Sequence, residues 1–280
     1  MRNTAMTPLD FTLVNLGLSF CAGILGALLG IGGGIIIVPA LTLLLGIDIR
    51  YAIGASIVSV IATSICSSST YLKKGIANMR LGMFLEAATA AGAITGAFIA
   101  GIIDAKWLYF IFAFVLLYLA CTMARLKKKS HLMAEHSDDL ARRLRLDGRY
   151  YNEALDQEIH YGVRHTWGGF GMSGVAGMAS GLLGVGGGFL KVPTMDAIMG
   201  VPIKVATTTS NFMIGVTAAA SAGVYFARGD IDPFITAPVA TGVILGSLAG
   251  TAILKHISSA RLRYAFVALL IWIAIGMFLK

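Results

Sequence analysis

Two glycine-rich strings decide the fold of this chain: LLGIGGGIIIVP at residues 28–39 and LLGVGGGFLKVP at residues 182–193. They lie 154 residues apart, and shifting the chain by 154 without a gap gives 17 identities over the 50 positions 22–71. The register continues further along the chain, where Gly92 falls on Gly246. This regularity predicts two homologous repeats, each built around a glycine-broken helical element.

The composition is typical of a polytopic membrane protein. Of the 280 residues, 57% are hydrophobic and 13% are charged, and the mean hydropathy is +0.80, which excludes an ordinary soluble domain. The apolar stretches are long enough for helices that cross a bilayer, which takes about 20 residues. We predict an all-α fold with three transmembrane helices per repeat, at 51–72, 82–103 and 107–124, and at 205–226, 234–254 and 264–279.

A broken helical hairpin precedes these three helices in each repeat. Its legs are 11–29 and 35–46 in the first repeat, and 168–183 and 189–200 in the second. The second legs have only 12 residues, which is short for a transmembrane helix. Whether the hairpin re-enters or consists of two short tilted spans stays open at this point.

The chain divides into three parts. Repeat one covers 11–125, a polar connecting segment covers 126–165, and repeat two covers 166–280. The connecting segment is too charged to enter lipid, and we expect it in the cytoplasm. Within it, Ser137 is a candidate N-cap for a short helix that ends at Arg145. The stretches 149–152 and 158–163 are candidate strands of a hairpin.

Corresponding loops of the two repeats carry opposite charge signatures. The loop at 73–80 has three basic residues, whereas its counterpart at 227–233 has two aspartates against one arginine. At the next loop the bias reverses, because 104–106 is neutral and 255–263 has three basic residues. Since basic loops face the cytoplasm, we predict inverted repeats. The alternative fuses 11–46 into one broken helix and gives a parallel duplication.

The net charge of +8 fits this topological role of lysine and arginine. The basic residues form no aromatic-interleaved patch, so we predict the lipid bilayer and no nucleic acid as a partner. The cysteines Cys21, Cys66 and Cys121 show no metal-ligand spacing. Neither a metal nor another cofactor is predicted, and a homo-oligomer stays possible.

The glycine strings are candidate anion sites. A GxGGG run breaks a membrane helix and exposes backbone amides, which lipid tolerates only beside protein or a watery cavity. Pro39 and Pro193 suit the first turn of the following helix. We therefore expect free amides at 40–42 and 194–196, where a helix start favours an anion. The alternative is that the glycines only allow close packing.

Three ionisable residues lie within apolar segments: Lys191, Glu86 and Asp196. Such groups are costly in a membrane and suggest function. Lys191 is the strongest candidate for an anion contact, because its counterpart in repeat one is Ile37. It could instead snorkel or pair with Asp196, which itself favours a helix start. Glu86 is the candidate for proton coupling, unless it lies at the membrane interface.

Hydroxyl and amide side chains open the helix that follows each string. Ser56 matches Ser210, and Thr63 matches Thr217 at helical spacing on the same face. Hydroxyls and amides can bind an anion while staying neutral, or they can link helices instead. The predicted substrate contacts are Gly32, Gly33, Gly34, Pro39, Ser56, Gly186, Gly187, Gly188, Lys191, Pro193, Thr208, Thr209, Ser210 and Asn211.

The chain resembles the sulfite exporter TauE/SafE family of membrane permeases. The matching features are G-x-GGG-x-x-x-VP at 30–39 and 184–193, the G-[IV] turns at 46–47 and 200–201, and the entry string ATTTS at 206–210. Repeat one departs from this entry string with AIGAS. The resemblance covers essentially the whole chain and implies transport of small anions such as sulfite, sulfonates or sulfoacetate.

We therefore expect a secondary transporter of a small anion in a bacterial-type inner membrane. It would work by alternating access with proton coupling. A passive anion channel is the alternative. An integral membrane enzyme is disfavoured, because the sequence has no HExxH motif, no paired intramembrane acids and no Ser/His/Asp set on one face.

Overall fold

The structure is a computed structural model that describes residues 7–29, 33–73, 76–125, 137–152, 157–253 and 259–280. Within these residues the chain is mostly helical. The first half contains α1 (Pro8–Leu29), α2 (Gly34–Pro39), a π-helical turn (Ala40–Leu44), α3 (Ile49–Lys73), α4 (Met79–Ile102) and α5 (Ala105–Arg125). The second half contains α7 (Thr166–Leu183), α8 (Gly188–Pro193), a π-helical turn (Thr194–Ile198), α9 (Ile203–Arg228), α10 (Pro233–Ile253) and α11 (Ser259–Phe278).

Several of these helices are long and apolar enough to cross a membrane. By length and composition, four candidate spans occur among the described residues: Pro8–Gly26, Met79–Ile102, Ala105–Ala124 and Pro233–Gly250. Shorter apolar helices cover Gly34–Leu44, Ile49–Ile65 and Phe266–Phe278. The predicted mostly helical membrane architecture is confirmed. The predicted spans 51–72 and 205–226 are also helical, within α3 and α9.

The connecting segment folds into α6 (Asp139–Leu144) followed by the antiparallel strands β1 (Gly148–Asn152) and β2 (Gln157–Tyr161). This confirms the predicted hairpin. The predicted N-cap is wrong by one residue, because the Asp138 carboxylate accepts the Ala141 N–H at 2.8 Å. The Ser137 hydroxyl is used elsewhere and accepts the Val163 N–H at 3.1 Å.

Asp138 also joins the connecting segment to α7. Its carboxylate accepts hydrogen bonds from the N–H and the hydroxyl of Thr166, both at 2.8 Å. Burial raises the pKa of Asp138, but the hydrogen bonds from Thr166 and Ala141 outweigh it and hold the pKa below its usual value. One carboxylate thus fixes the starts of two helices.

Helices of the first half pack on helices of the second half. α1 lies along α10, α4 lies along α7, α3 packs on α9, and α5 packs on α11. The first two pairs run parallel, because Phe11 stacks on Phe234 and Phe84 packs on Phe170 near the helix starts.

Glycines bring these parallel pairs into backbone contact. A Cβ on Gly177 of α7 would lie 2.0 Å from the Thr89 carbonyl oxygen of α4. A Cβ on Gly23 of α1 would lie 2.5 Å from the Val243 carbonyl oxygen of α10. Both contacts require glycine, as expected where small residues let helices approach in lipid.

The connecting segment covers one end of the bundle. There Asn78, just before α4, donates to the Leu146 carbonyl oxygen at 2.7 Å and to the Tyr161 hydroxyl at 3.1 Å. Burial raises the pKa of Tyr161 to about 12, so this hydroxyl stays neutral at physiological pH. At the opposite end of α4, Arg228 of α9 donates to the Ala97 carbonyl oxygen at 2.6 Å.

The two ends of the described chain lie away from the connecting segment. α1 starts beside the start of α10, which follows α9 at the Arg228 end of the bundle. The end of α11 reaches the start of α5, where Phe278 packs edge-on against Phe110. α5 itself starts after the far end of α4.

Candidate functional site

The second glycine string turns the chain between α7 and α8. Gly184, Gly186 and Gly187 have φ of +69°, +78° and +69°, which only glycine adopts without strain. α8 then starts at Gly188. In the first string, α2 starts at Gly34 with Gly33 as its N-cap, and Gly32 lies outside the described residues.

These helix starts correct the predicted position of the free amides. The helices begin at Gly34 and Gly188, one residue before the predicted legs 35–46 and 189–200 but six residues before the free amides predicted at 40–42 and 194–196. Each proline ends the α-helical stretch and is followed by the π-helical turn. Proline has no N–H to donate, so it removes one i→i−4 bond, and a wider turn follows at that point. The unpaired amides of each helix start therefore lie at the glycines.

The two glycine strings meet in the interior. The Ser56 hydroxyl of α3 donates to the Gly184 carbonyl oxygen at 2.7 Å. A Cβ on Gly34 would lie 2.6 Å from the same oxygen and 2.7 Å from the Ser56 hydroxyl oxygen. The start of α2 thus packs directly on the second string.

Ser210 of α9 takes the matching place beside α8. A Cβ on Gly188 would lie 3.4 Å from the Ser210 hydroxyl oxygen. That hydroxyl is buried and has no hydrogen-bond partner within the part of the chain that the structure describes. An unpartnered hydroxyl therefore lies at the start of α8.

Lys191 and Glu86 form a buried ion pair with Thr217 between them. The Lys191 Nζ donates to the Thr217 Oγ1 at 2.6 Å, and the Thr217 hydroxyl donates to the Glu86 Oε1 at 2.7 Å. The Lys191 Nζ also lies 3.6 Å from the Glu86 Oε2. Lys191 is 0% exposed and Glu86 is 6% exposed. Lys191 therefore does not snorkel, and the Glu86 carboxylate lies in the interior of the protein.

Other predicted contacts are occupied by the protein itself. The Thr208 hydroxyl donates to the Lys204 carbonyl oxygen at 2.9 Å, and the Thr209 hydroxyl accepts the Asn78 N–H at 2.9 Å. The Asn211 side chain is half-buried, and Pro193 is exposed whereas Pro39 is buried. The remaining candidates are the Lys191–Thr217–Glu86 group and, separately, the Ser210 hydroxyl at the start of α8.

A family model described as "Sulfite exporter TauE/SafE" matches residues 15–277. This chain belongs to the TauE/SafE family. Relatives of this family member include the "Probable membrane transporter protein YunE" of Bacillus subtilis, which is 27% identical over 86% of this chain and 87% of the relative. A "Probable membrane transporter protein" of Haemophilus influenzae is 29% identical over 96% of this chain and 99% of the relative.

A further probable membrane transporter protein, from Methanocaldococcus jannaschii, is 28% identical over 90% of this chain and 89% of the relative. No solved structure matches this TauE/SafE chain significantly. Family membership together with the apolar helices makes the chain an integral membrane protein of a transporter family.

The ion pair of this TauE/SafE protein has no charged counterpart in the other half. Shifting Lys191, Glu86 and Thr217 by 154 positions gives Ile37, Ala240 and Thr63. The charged arrangement therefore exists once, although the surrounding helices are matched in pairs.

Sequence reasoning identified Lys191 and Glu86 of this TauE/SafE chain separately, and it did not predict the contacts of Thr217 with both charges or of Asn78 with Thr209. Thr217 was noted only because it matches Thr63 in the other repeat. Nothing in the neighbouring sequence predicts that it contacts both charged residues. Asn78 was missed altogether. Its signal is that of an N-cap, because its side chain accepts the Leu81 N–H at the start of α4.

Proposed function

We propose that this TauE/SafE chain is a secondary transporter of a small anion, such as sulfite, a sulfonate or a related organic anion. It works by alternating access and couples the anion to a proton. The observation that carries the proposal is the fully buried Lys191 ammonium, which is paired with the carboxylate of Glu86.

The substrate takes the place of Glu86 beside Lys191. A buried cation needs an anionic partner, because taking a charge out of water costs several kcal/mol. Glu86 supplies that partner when the site is empty of cargo. The free amides at the start of α8 and the unpartnered hydroxyl of Ser210 add neutral donors for anionic oxygens.

Proton coupling follows from the displaced carboxylate. Once the anion binds Lys191, Glu86 would be a buried charge without a partner. Taking up a proton from water removes that charge, so anion and proton enter the site together. The Glu86 Oε2 accepts no hydrogen bond within the described residues, and this supports a carboxylate that can leave Lys191 and accept a proton.

We further propose that the halves are inverted repeats that rock against each other. Under the shift of 154 residues, α1 corresponds to α7 and α10 corresponds to α4. The pair α1–α10 therefore corresponds to the pair α7–α4, and the helices pack on each other in both pairs. α4 starts at the connecting-segment end of the bundle, whereas its counterpart α10 starts at the opposite end. This pattern supports an inverted-repeat transporter with a central site.

The connecting segment 126–165 would lie in the cytoplasm of a bacterial-type inner membrane. The basic loop 73–80 supports this orientation, because cytoplasmic loops collect lysine and arginine. In this orientation the two ends of the described chain lie on the opposite side of the membrane.

Purified protein in liposomes tests the proposal. A thermal-shift screen against sulfite, thiosulfate, sulfonates and small carboxylates first identifies a ligand, which should raise the melting temperature in a concentration-dependent way. Uptake of that anion should then follow an imposed pH gradient, and Lys191→Met should abolish it. Anion conductance that ignores the pH gradient would indicate a channel, and chemical turnover without uptake would indicate an enzyme.

A further inference from the structure

The Thr217 hydroxyl has one hydrogen and two acceptors within reach. The Glu86 Oε1 lies 2.7 Å from the Thr217 Oγ1, and the Met213 carbonyl oxygen lies 2.8 Å from it. The same oxygen accepts a hydrogen bond from the Lys191 Nζ at 2.6 Å. The hydroxyl can therefore turn its hydrogen between a carboxylate and the backbone while it stays between the two charges.

We propose that Thr217 is a hydrogen-bond switch that links the protonation of Glu86 to the release of Lys191 for the anion. This inference rests on the proposed function and adds a positioning residue that the charges alone do not require.

In the cargo-free state, Lys191 donates to Thr217 and Thr217 donates to ionised Glu86. The hydrogen bonds then run from cation to anion without interruption. A hydrogen bond to a charged group is worth more than one between neutral groups, so the Thr217 hydrogen faces Glu86 and the Met213 carbonyl oxygen stays with its helical partners.

In the anion-bound state, Glu86 has taken a proton from water and has become a donor. Its new O–H donates to the Thr217 Oγ1, and the Thr217 hydrogen turns to the Met213 carbonyl oxygen. Lys191 then faces a neutral acid and a hydroxyl where it faced an ionised carboxylate, so its ammonium turns a hydrogen towards the charged cargo. One proton is gained at Glu86, no bond to the cargo is made or broken, and each buried donor keeps an acceptor.

Thr63, the counterpart of Thr217, provides an internal control. Its hydroxyl donates to backbone oxygens of its own helix, those of Ser59 and Val60, both at 3.1 Å. It has the same residue type and the same place in the other half, but its hydrogen bonds within the described residues reach no charged group.

The charges around Glu86 leave Lys191 as its direct partner in the described part of the chain. α4 packs on α7 and α9, and α7 carries no ionisable side chain. The remaining ionisable side chains on the surrounding elements are Arg80 on α4, Asp196 after α8, and Lys204, Tyr225 and Arg228 on α9.

The test compares Thr217→Val, Thr217→Ser and Thr63→Val in liposomes. The probe is methanesulfonate, whose charge does not change over the pH range used, and uptake is measured as a function of pH. In the wild type, uptake increases as Glu86 becomes protonated at lower pH. Thr217→Val removes a hydrogen bond to the charged carboxylate, so its half-maximal uptake should move to higher pH by about one pH unit. Thr217→Ser and Thr63→Val should keep the wild-type profile.

A Thr217→Val profile that superimposes on the wild type would overturn the switch, and so would an equal displacement in Thr63→Val. If Thr217→Val does not fold, the infrared difference spectrum on anion binding decides. A carboxylic-acid band that is absent in Glu86→Gln, displaced in Thr217→Ala and retained in Thr217→Ser supports the switch, and an unchanged band in Thr217→Ala contradicts it. No uptake of methanesulfonate, sulfite or sulfoacetate by the wild type would instead contradict the proposed function itself.

Discussion

Ser56 and Ser210 lie 154 positions apart in matching places, but only the Ser56 hydroxyl has a partner. It donates to the Gly184 carbonyl oxygen at 2.7 Å, whereas the buried Ser210 hydroxyl has no hydrogen-bond partner within the described residues. Buried polar groups are normally satisfied by protein, water or a ligand. The difference indicates a structural role for Ser56, and under the proposed function it leaves the Ser210 hydroxyl available to the anion.

The two serines should therefore respond differently to loss of the hydroxyl. Ser56→Ala should lower the free energy of unfolding by about 1 kcal/mol, because it removes a buried hydrogen bond and leaves the Gly184 oxygen without that donor. Ser210→Ala should leave thermal stability unchanged and weaken anion binding. Thermal unfolding and ligand titration of both variants measure this. A stability loss in Ser210→Ala without a change in anion affinity would contradict the assignment.

Variants of the Lys191–Glu86 pair should show that its effect on stability is distinct from its effect on transport. Breaking a buried ion pair by removing one partner costs about 3–5 kcal/mol, because the other charge is left uncompensated. Lys191→Met should therefore lower the melting temperature at neutral pH. The double variant Lys191→Met with Glu86→Gln should recover most of that loss and still not transport. Transport by the double variant would show that the pair only holds helices together.

The backbone contact between α4 and α7 predicts strict size limits. A Cβ on Gly181 would lie 1.9 Å from the Ala93 carbonyl oxygen, whereas a Cβ on Gly171 of the same helix meets nothing within 4 Å. Gly181→Ala should lower the free energy of unfolding by about 1–3 kcal/mol, because the backbone of α4 or α7 must move. Gly171→Ala serves as the matched control and should be neutral or slightly stabilising. Equal melting temperatures for the two variants would contradict this packing.

We expect the stabilising contacts that Asp138 makes between the connecting segment and α7 to be lost in acid. Because its pKa lies below the usual value in the folded protein, its contribution is present above about pH 4, the unfolded value, and is lost as pH falls through the folded value. Asp138→Ala should cost about 1 kcal/mol at neutral pH through the lost N-cap. The difference from wild type should vanish in acid.

Asp139→Ala is the control for that experiment. Asp139 pairs with Arg142 on an exposed surface, and exposed pairs contribute little. Melting curves at neutral and acidic pH should therefore separate the two variants at neutral pH only. A pH-independent effect of Asp138→Ala would argue against a charged cap.

The helices could be predicted from apolar length alone, and the hairpin from its turn signals. Lys191 and Glu86 could be singled out because ionisable residues are costly in apolar segments. Their pairing could not be predicted, because 105 positions separate them and nothing local links α4 to α8. The match of Thr217 with Thr63 indicated a helix face, but not the charges that this face meets.

The predicted legs 35–46 and 189–200 begin within one residue of the observed helices, but the free amides predicted after the prolines were wrong for a specific reason. Proline is common in the first turn of a helix, and this preference favoured free amides directly after Pro39 and Pro193. The glycines allow the chain to turn earlier, and Gly187 with φ of +69° caps α8 directly. Sequence preference thus identified the break in the helix but misplaced the unpaired amides that follow it.

Proton uptake on anion binding tests the central claim most directly. Calorimetric titration of the purified protein with methanesulfonate, at about pH 7 in buffers of different ionisation enthalpy, measures the protons exchanged per anion. The wild type should take up about one proton per bound anion, and Glu86→Gln should take up none. Binding to the wild type without proton exchange, or unchanged proton uptake in Glu86→Gln, would contradict the exchange of Glu86 for the anion at Lys191.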